Sequence, residues 1–282
     1  MVSTSRQYST SVFLWSLFAT LAAMSYLAFF RQILEIWLRN EDYSFGILVP
    51  PLVAYLIWAR RKGILVSEHS SWIPGLFLTG LGCGLQVLAS RSGTLVASGI
   101  ALILTLIGAI GFICGKQRLA RVAGPIALLV LMVPLPSYVV GELSWHLQSV
   151  ASATSGGILG FLGVPVYLDG NLLHLPNYVL EVKQACSGSR SIFALLALAC
   201  VLGLSTNTKF WARTMLVAAA PCLAIGANVI RIVGTGLIAR KWGSVASSES
   251  LHAAWGIAVF LIAVLGLLGV QSLLRWATCK DA

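Results

Sequence analysis

Little in this chain suits it to water. Only 10% of its 282 residues are charged and nine are acidic, against 58% hydrophobic, and the mean hydropathy is strongly positive. No soluble domain of this size carries such a surface, so the solvent is lipid. Cysteines are few and badly placed for disulfides. Cys83, Cys114, Cys200 and Cys222 lie inside apolar runs, Cys279 falls in the last few residues, and only Cys186 stands in a polar loop context, which excludes a disulfide framework. There is no internal repeat, no low-complexity linker, no Gly-x-Ser-x-Gly elbow and no phosphate-binding glycine loop. His69, His146 and His174 are scattered over a loop, a helix and a strand region, so the sequence predicts no metal and no cofactor. The net charge of +10 is read as orientation by the positive-inside rule rather than as a nucleic-acid footprint.

What is present is a series of apolar runs: Val12 to Phe30, Phe45 to Ala59, Ile73 to Ala89, Leu95 to Cys114, Val122 to Val140, Ser187 to Leu204, Thr214 to Ile238 and Ala253 to Leu274. A helix of about 20 apolar residues crosses a bilayer while satisfying its own backbone. The expectation is an all-α polytopic membrane protein of about eight transmembrane helices, forming a single integral membrane domain over residues 1–282. The first run lacks a small-residue cleavage site and is read as a retained span. The second is short, and Pro50-Pro51 is expected to kink or interrupt it.

Glu142 to Gly163 does not read as a simple span. Leu143, Leu147 and Val150 recur at helical spacing, with Ser144, Gln148, Ser149, Ser152 and Ser155 on the other side, the pattern of a helix lying in the membrane interface. A ninth span is the rival reading, and it reverses the charge bias of the last three spans. Pro165 to Val182 then reads as short strands, Val166 to Leu168, Leu172 to Leu175 and Tyr178 to Val182, with turns at Asp169-Gly170-Asn171 and Pro176-Asn177. The lid region, residues 142–185, falls between the fifth and sixth spans. With both termini in the cytoplasm the inner segments carry about +9 and the outer about −1, the direction that the positive-inside rule requires. The small β lid is thereby expected on the non-cytoplasmic side.

Three chemically able residues share that side: Cys186 before the sixth span, Arg231 in the outer half of the seventh and His252 opening the eighth. A guanidinium inside a span is costly and wants a purpose, although snorkelling to the interface is the plain alternative. Asn228, three residues earlier on the same face, could hold it. A thiol at a helix start with Arg190 and Arg231 nearby becomes a usable nucleophile, and His can exchange protons near neutrality. The rival roles are a small apolar filler for Cys186 and a packing residue for His252.

At this point the chain resembles the exosortase and archaeosortase membrane proteins. Leu180 to Ser191, containing Ala185-Cys186-Ser187-Gly188, is similar to the family's Ala-Cys-Ser-Gly box after a short strand. Also similar are Asp42-Tyr43-Ser44-Phe45-Gly46 leading into Val49-Pro50, Pro134-Leu135-Pro136, Gly163-Val164-Pro165-Val166, the Asn228 to Arg231 pair, and His252 with Gly256. The resemblance runs from about Asp42 to Gly256. It implies a cysteine transpeptidase with Cys186 as nucleophile, Arg231 as the essential arginine and His252 as the third member, supported by Asn228, Ser187, Gly188 and Arg190. It further implies a multi-pass protein of a bacterial inner membrane with its active site facing the periplasm. Its implied partners are membrane lipid and substrate proteins ending in a short Pro-Glu-Pro-like (PEP-CTERM-type) motif, one hydrophobic span and a basic tail. The expected acceptor is water or an amine on a lipid or glycan, and the sequence does not choose between them. Phe45 stands where the family often has His, and Ser189 where it often has a larger apolar residue. The competing classes are a transporter and a non-catalytic component of an envelope polysaccharide export system.

Overall fold

The computed structural model describes residues 20–62, 72–176, 178–182, 189–206, 209–242 and 249–280. It divides into two compact units, Met1–Pro134 and Leu135–Ala282.

In the first unit a helical run from residue 20 re-forms after Tyr26 as α1 (Leu27–Arg39). Asn40 ends it, and its side chain accepts a hydrogen bond from Asp42 N (2.9 Å), starting a 3-10 turn over Glu41–Leu48 that passes into α2 (Val49–Ala59). Pro50 and Pro51 fall in the first turn of α2, where a missing N–H breaks no helical bond. They start the helix rather than interrupt it, which corrects the expected kink. Next come α3 (Ile73–Ser92), closed by Gly93 at φ 67°, and α4 (Leu95–Cys114). These two pack through Gly75, Gly82, Gly108 and Gly111, whose missing side chains let the backbones meet; a Cβ on Gly75 would stand 2.6 Å from Gly108 O. Finally α5 (Lys116–Ala127) tightens into a 3-10 stretch, Leu128–Met132.

The second unit opens with α6 (Ser137–Phe161), running from Pro136 to a Gly163 at φ 72° whose neighbour Val164 N donates back to Leu159 O (3.0 Å), a Schellman-type stop. Three antiparallel strands follow, β1 (Tyr167–Asp169), β2 (Leu172–Leu175) and β3 (Tyr178–Glu181), in that spatial order. Gly170, φ 57°, supplies the left-handed residue in the β1–β2 turn. Three helices complete the unit: α7 (Ser189–Ser205), α8 (Phe210–Trp242) and α9 (Glu249–Lys280).

Five helical stretches are long and apolar enough to cross a membrane: Asp42–Ala59, Ile73–Ser92, Leu95–Cys114, Phe210–Lys241 and Ala254–Thr278. Counting Lys116–Met132 with Ser137–Phe161 as one broken span makes six. The chain is thus a mostly helical, multi-pass membrane protein with a small sheet, and the described residues carry fewer spans than the eight expected. The expected first run, Val12 to Phe30, lies partly outside the described residues. The expected sixth is a 17-residue helix. The expected fifth is broken at Pro134-Leu135-Pro136, because proline disfavours helical geometry in the residue before it.

Helix α6 also differs from the interfacial helix expected over Glu142 to Gly163. It starts earlier, and Ser144, Ser152 and Ser155 are buried, while Leu143 and Val150 are exposed. Ser144, Ser152 and Ser155 are turned into the protein, together with Ala151 and Leu159, and Leu147 is partly buried, so the buried side of the helix is not the one that the apolar spacing marks. Small hydroxyl residues suit close helix packing, and this is why their pattern resembled a wet face.

Two clusters hold the second unit together. Leu173, Leu175, Leu180 and Val182 from the sheet region pack on Ala151 and Leu159 of α6 and on Ile232 and Ala239 of α8. Alternation along β2 puts Leu173 and Leu175 on that inner face. In the other cluster Leu195 and Ala199 of α7 and Ala263 and Leu267 of α9 surround Ala220, Ala224 and Ala227 of α8. Helix α8 therefore lies between the sheet and the two other helices.

Candidate active site

Of the expected triad, Arg231 is described in full, His252 by its backbone in α9, and Cys186 lies outside the described residues together with Ser187 and Gly188. The residues bracketing Cys186 are fixed. Val182 is buried against the α8 cluster and its N–H donates to Asn171 O (3.0 Å), while Arg190 sits half-buried in the first turn of α7.

Arg231 lies in the interior of α8, eleven residues before Trp242 rather than about seven from the end, because the helix runs on past Ile238. Its neighbour Ile232 belongs to the sheet cluster, and Asn228, one turn earlier on the same face, is buried. The Arg231 carbonyl accepts two side-chain hydrogen bonds, from Thr235 Oγ1 (2.9 Å) and from the indole Nε1 of Trp255 on α9 (3.1 Å). The guanidinium crosses to Gly256. A Cβ there would stand 3.2 Å from Nη2 and 3.3 Å from Cζ. In the other direction Trp255 lies on Gly234, where any Cβ would run into the indole ring. Each helix thus offers a glycine to the other's large side chain.

Position 252 is four residues before Gly256, one turn along α9 and on the same helix face. The structure brings that position and Arg231 to one stretch of the α8–α9 seam. Trp255 and Gly234 were not singled out from the sequence. The available signal was a tryptophan beside Gly256 in an apolar helix, since a buried indole N–H requires an acceptor.

The sheet is pinned to α6 by Asn171, which the sequence places only in a turn. Asn171 Nδ2 donates to Gln148 Oε1 (2.7 Å), and the same residue's carbonyl accepts from Val182. One residue, through its side chain and its carbonyl, therefore links the β1–β2 turn, α6 and the strand end that leads to Cys186. His146 pairs with Glu142, one turn away on the exposed face of α6 (3.2 Å), and His174 faces Tyr167 across β1 and β2.

No curated protein matches the chain, and no solved structure does. A family model described as transmembrane exosortase (Exosortase_EpsH) matches residues 37–269, from α1 through most of α9 and across every position of the seam. The chain therefore belongs to the transmembrane exosortase family.

Proposed function

We propose that this protein is a membrane cysteine protease or transpeptidase that cleaves the C-terminal, membrane-anchored sorting signal of exported proteins through a thioester. The observation that carries the reading is the Arg231 guanidinium lying across to Gly256, one turn from position 252, within a chain matched by the exosortase family.

In the proposed mechanism the substrate is held by its own C-terminal helix and presents a peptide bond at the periplasmic face of the inner membrane. Cys186 thiolate attacks the carbonyl carbon and the π electrons move to oxygen. The Arg231 guanidinium, always charged and rich in donors, stabilises that oxyanion; loss of one such donor costs about 10² to 10³ in rate. Collapse breaks the C–N bond as His252 protonates the departing amine, leaving a thioester on Cys186. Water or an amine on a lipid or glycan, deprotonated by His252, then displaces the thiolate. The two outer edges of the small sheet, on β1 and β3, suit an extended substrate segment by strand addition. The substrate class is a protein ending in a short recognition motif, one span and a basic tail.

The test is to co-express wild type or Cys186→Ala with a reporter bearing such a tail. Cleavage by wild type and none by Cys186→Ala is expected. Equal cleavage by both would leave a transporter or scaffold as the better reading.

A further inference from the structure

The α8–α9 seam contains more construction than a triad requires. Helix carbonyls in a span are already engaged by the residue four positions on, and an indole N–H can be satisfied at many places along a helix. Here Trp255 donates to the carbonyl of Arg231 itself, at 3.1 Å, with Thr235 Oγ1 on the same oxygen. Gly234, one turn after Arg231, leaves the space in which the ring lies, and the next residue after Trp255 is the glycine that receives the guanidinium.

We propose that Trp255 is a positioning residue: its indole, seated on Gly234 and bonded to Arg231 O, sets the register of α9 on α8 and thereby aims the Arg231 guanidinium. This rests on the reading above that Arg231 acts on the substrate. The geometric need is plain. A slip of one residue along a helix is about 1.5 Å, whereas a catalytic group must be held to within about 0.5 Å. The apolar residues of the shared cluster, Ala220, Ala224 and Ala227 of α8 with Ala263 and Leu267 of α9, pack the helices but tolerate sliding, since they carry no directional bond. The indole bond supplies direction at one residue, the one whose side chain matters. Because Gly256 follows Trp255 directly and position 252 lies one turn back on the same face, the contact that aligns Arg231 also fixes the part of α9 that bears His252.

The experiment uses full-length protein in membranes with the tail-bearing reporter, measuring the rate of processing, its substrate dependence and thermal unfolding. Trp255→Phe keeps a ring over Gly234 and removes the N–H. Gly234→Ala keeps the N–H and lifts the ring. Each is expected to lower the turnover rate about 10-fold with KM unchanged, Gly234→Ala also lowering the unfolding temperature because its Cβ would stand 2.5 Å from the indole, and the two together are expected to cost no more in rate than either alone. In an Arg231→Lys background, Trp255→Phe is expected to change the residual rate less than 2-fold. Wild-type turnover in Trp255→Phe, or a full further 10-fold loss on top of Arg231→Lys, overturns the inference while leaving the proposed function standing. Wild-type turnover in Arg231→Lys alone removes the reading on which the inference rests.

Discussion

Gly256→Ala separates the site from the fold. The added Cβ would stand 3.2 Å from Arg231 Nη2, 3.3 Å from Cζ and 3.5 Å from Nε, and comfortable contact begins near 3.5 to 4.0 Å. The guanidinium must therefore move by a few tenths of an ångström. It is the end of a flexible side chain, so the shift costs the fold little, and replacing glycine inside a helix returns up to about 1 kcal/mol. Stability is expected to hold or rise. Rate moves the other way: a misplacement of about 1 Å costs on the order of 10², so a fraction of that predicts about a 3- to 10-fold loss. Gly256→Leu, which fills the guanidinium's space, is expected to lose about 10². Processing of the tail-bearing reporter and thermal unfolding are measured on the same purified samples. Wild-type processing in both variants refutes the claim that the guanidinium's position against Gly256 matters; parallel loss of stability and rate in Gly256→Ala refutes the claim that the effect is local.

Asn171→Ala removes the link between the β1–β2 turn and Gln148, leaving a partly buried amide partner; a loss of about 1 to 3 kcal/mol and a proportionate fall in processing are expected, checked by unfolding in detergent. Ser152→Ala and Ser155→Ala remove fully buried hydroxyls that have no hydrogen-bond partner among the described residues, so unfolding temperature is expected to stay level or rise; a clear fall contradicts the burial of an unsatisfied group. Gly108→Val places a branched side chain against Thr79 on α3 and is expected to destabilise the first unit by more than about 3 kcal/mol, read as loss of folded protein in membranes.

Much of this architecture is legible in the sequence because lipid makes hydropathy a strong signal. The fourth apolar run, Leu95 to Cys114, coincides with α4, whose bounds are set by Thr94 and by Gly115 at φ 88°. The three strands fall where turn residues separate short apolar stretches, since Gly170 and the Asx residues beside it have one structural use there. What was not legible depends on which face meets protein. The serines of α6 read as a water-facing stripe because a hydroxyl has the same sequence signature at an aqueous surface and at a close helix contact. Pro50-Pro51 read as a breaker because its effect depends on where the first turn begins, which Asn40 and the 3-10 stretch decide. At the site, the sequence places Arg231 and position 252 on two successive apolar helices, α8 and α9. The crossed pairing of Trp255 with Gly234 and Arg231 with Gly256 could not be read from it, since it requires the relative rotation of two helices.

The most direct measurement is the mass of the enzyme trapped during turnover. Purified protein is mixed with the tail-bearing reporter, quenched in acid and analysed intact, with and without hydroxylamine. The account predicts an adduct equal in mass to the reporter fragment upstream of the cleaved bond, attached at Cys186, released by hydroxylamine and missing in Cys186→Ala. Cleavage that proceeds in Cys186→Ala, or with no hydroxylamine-sensitive adduct at any time point, contradicts it.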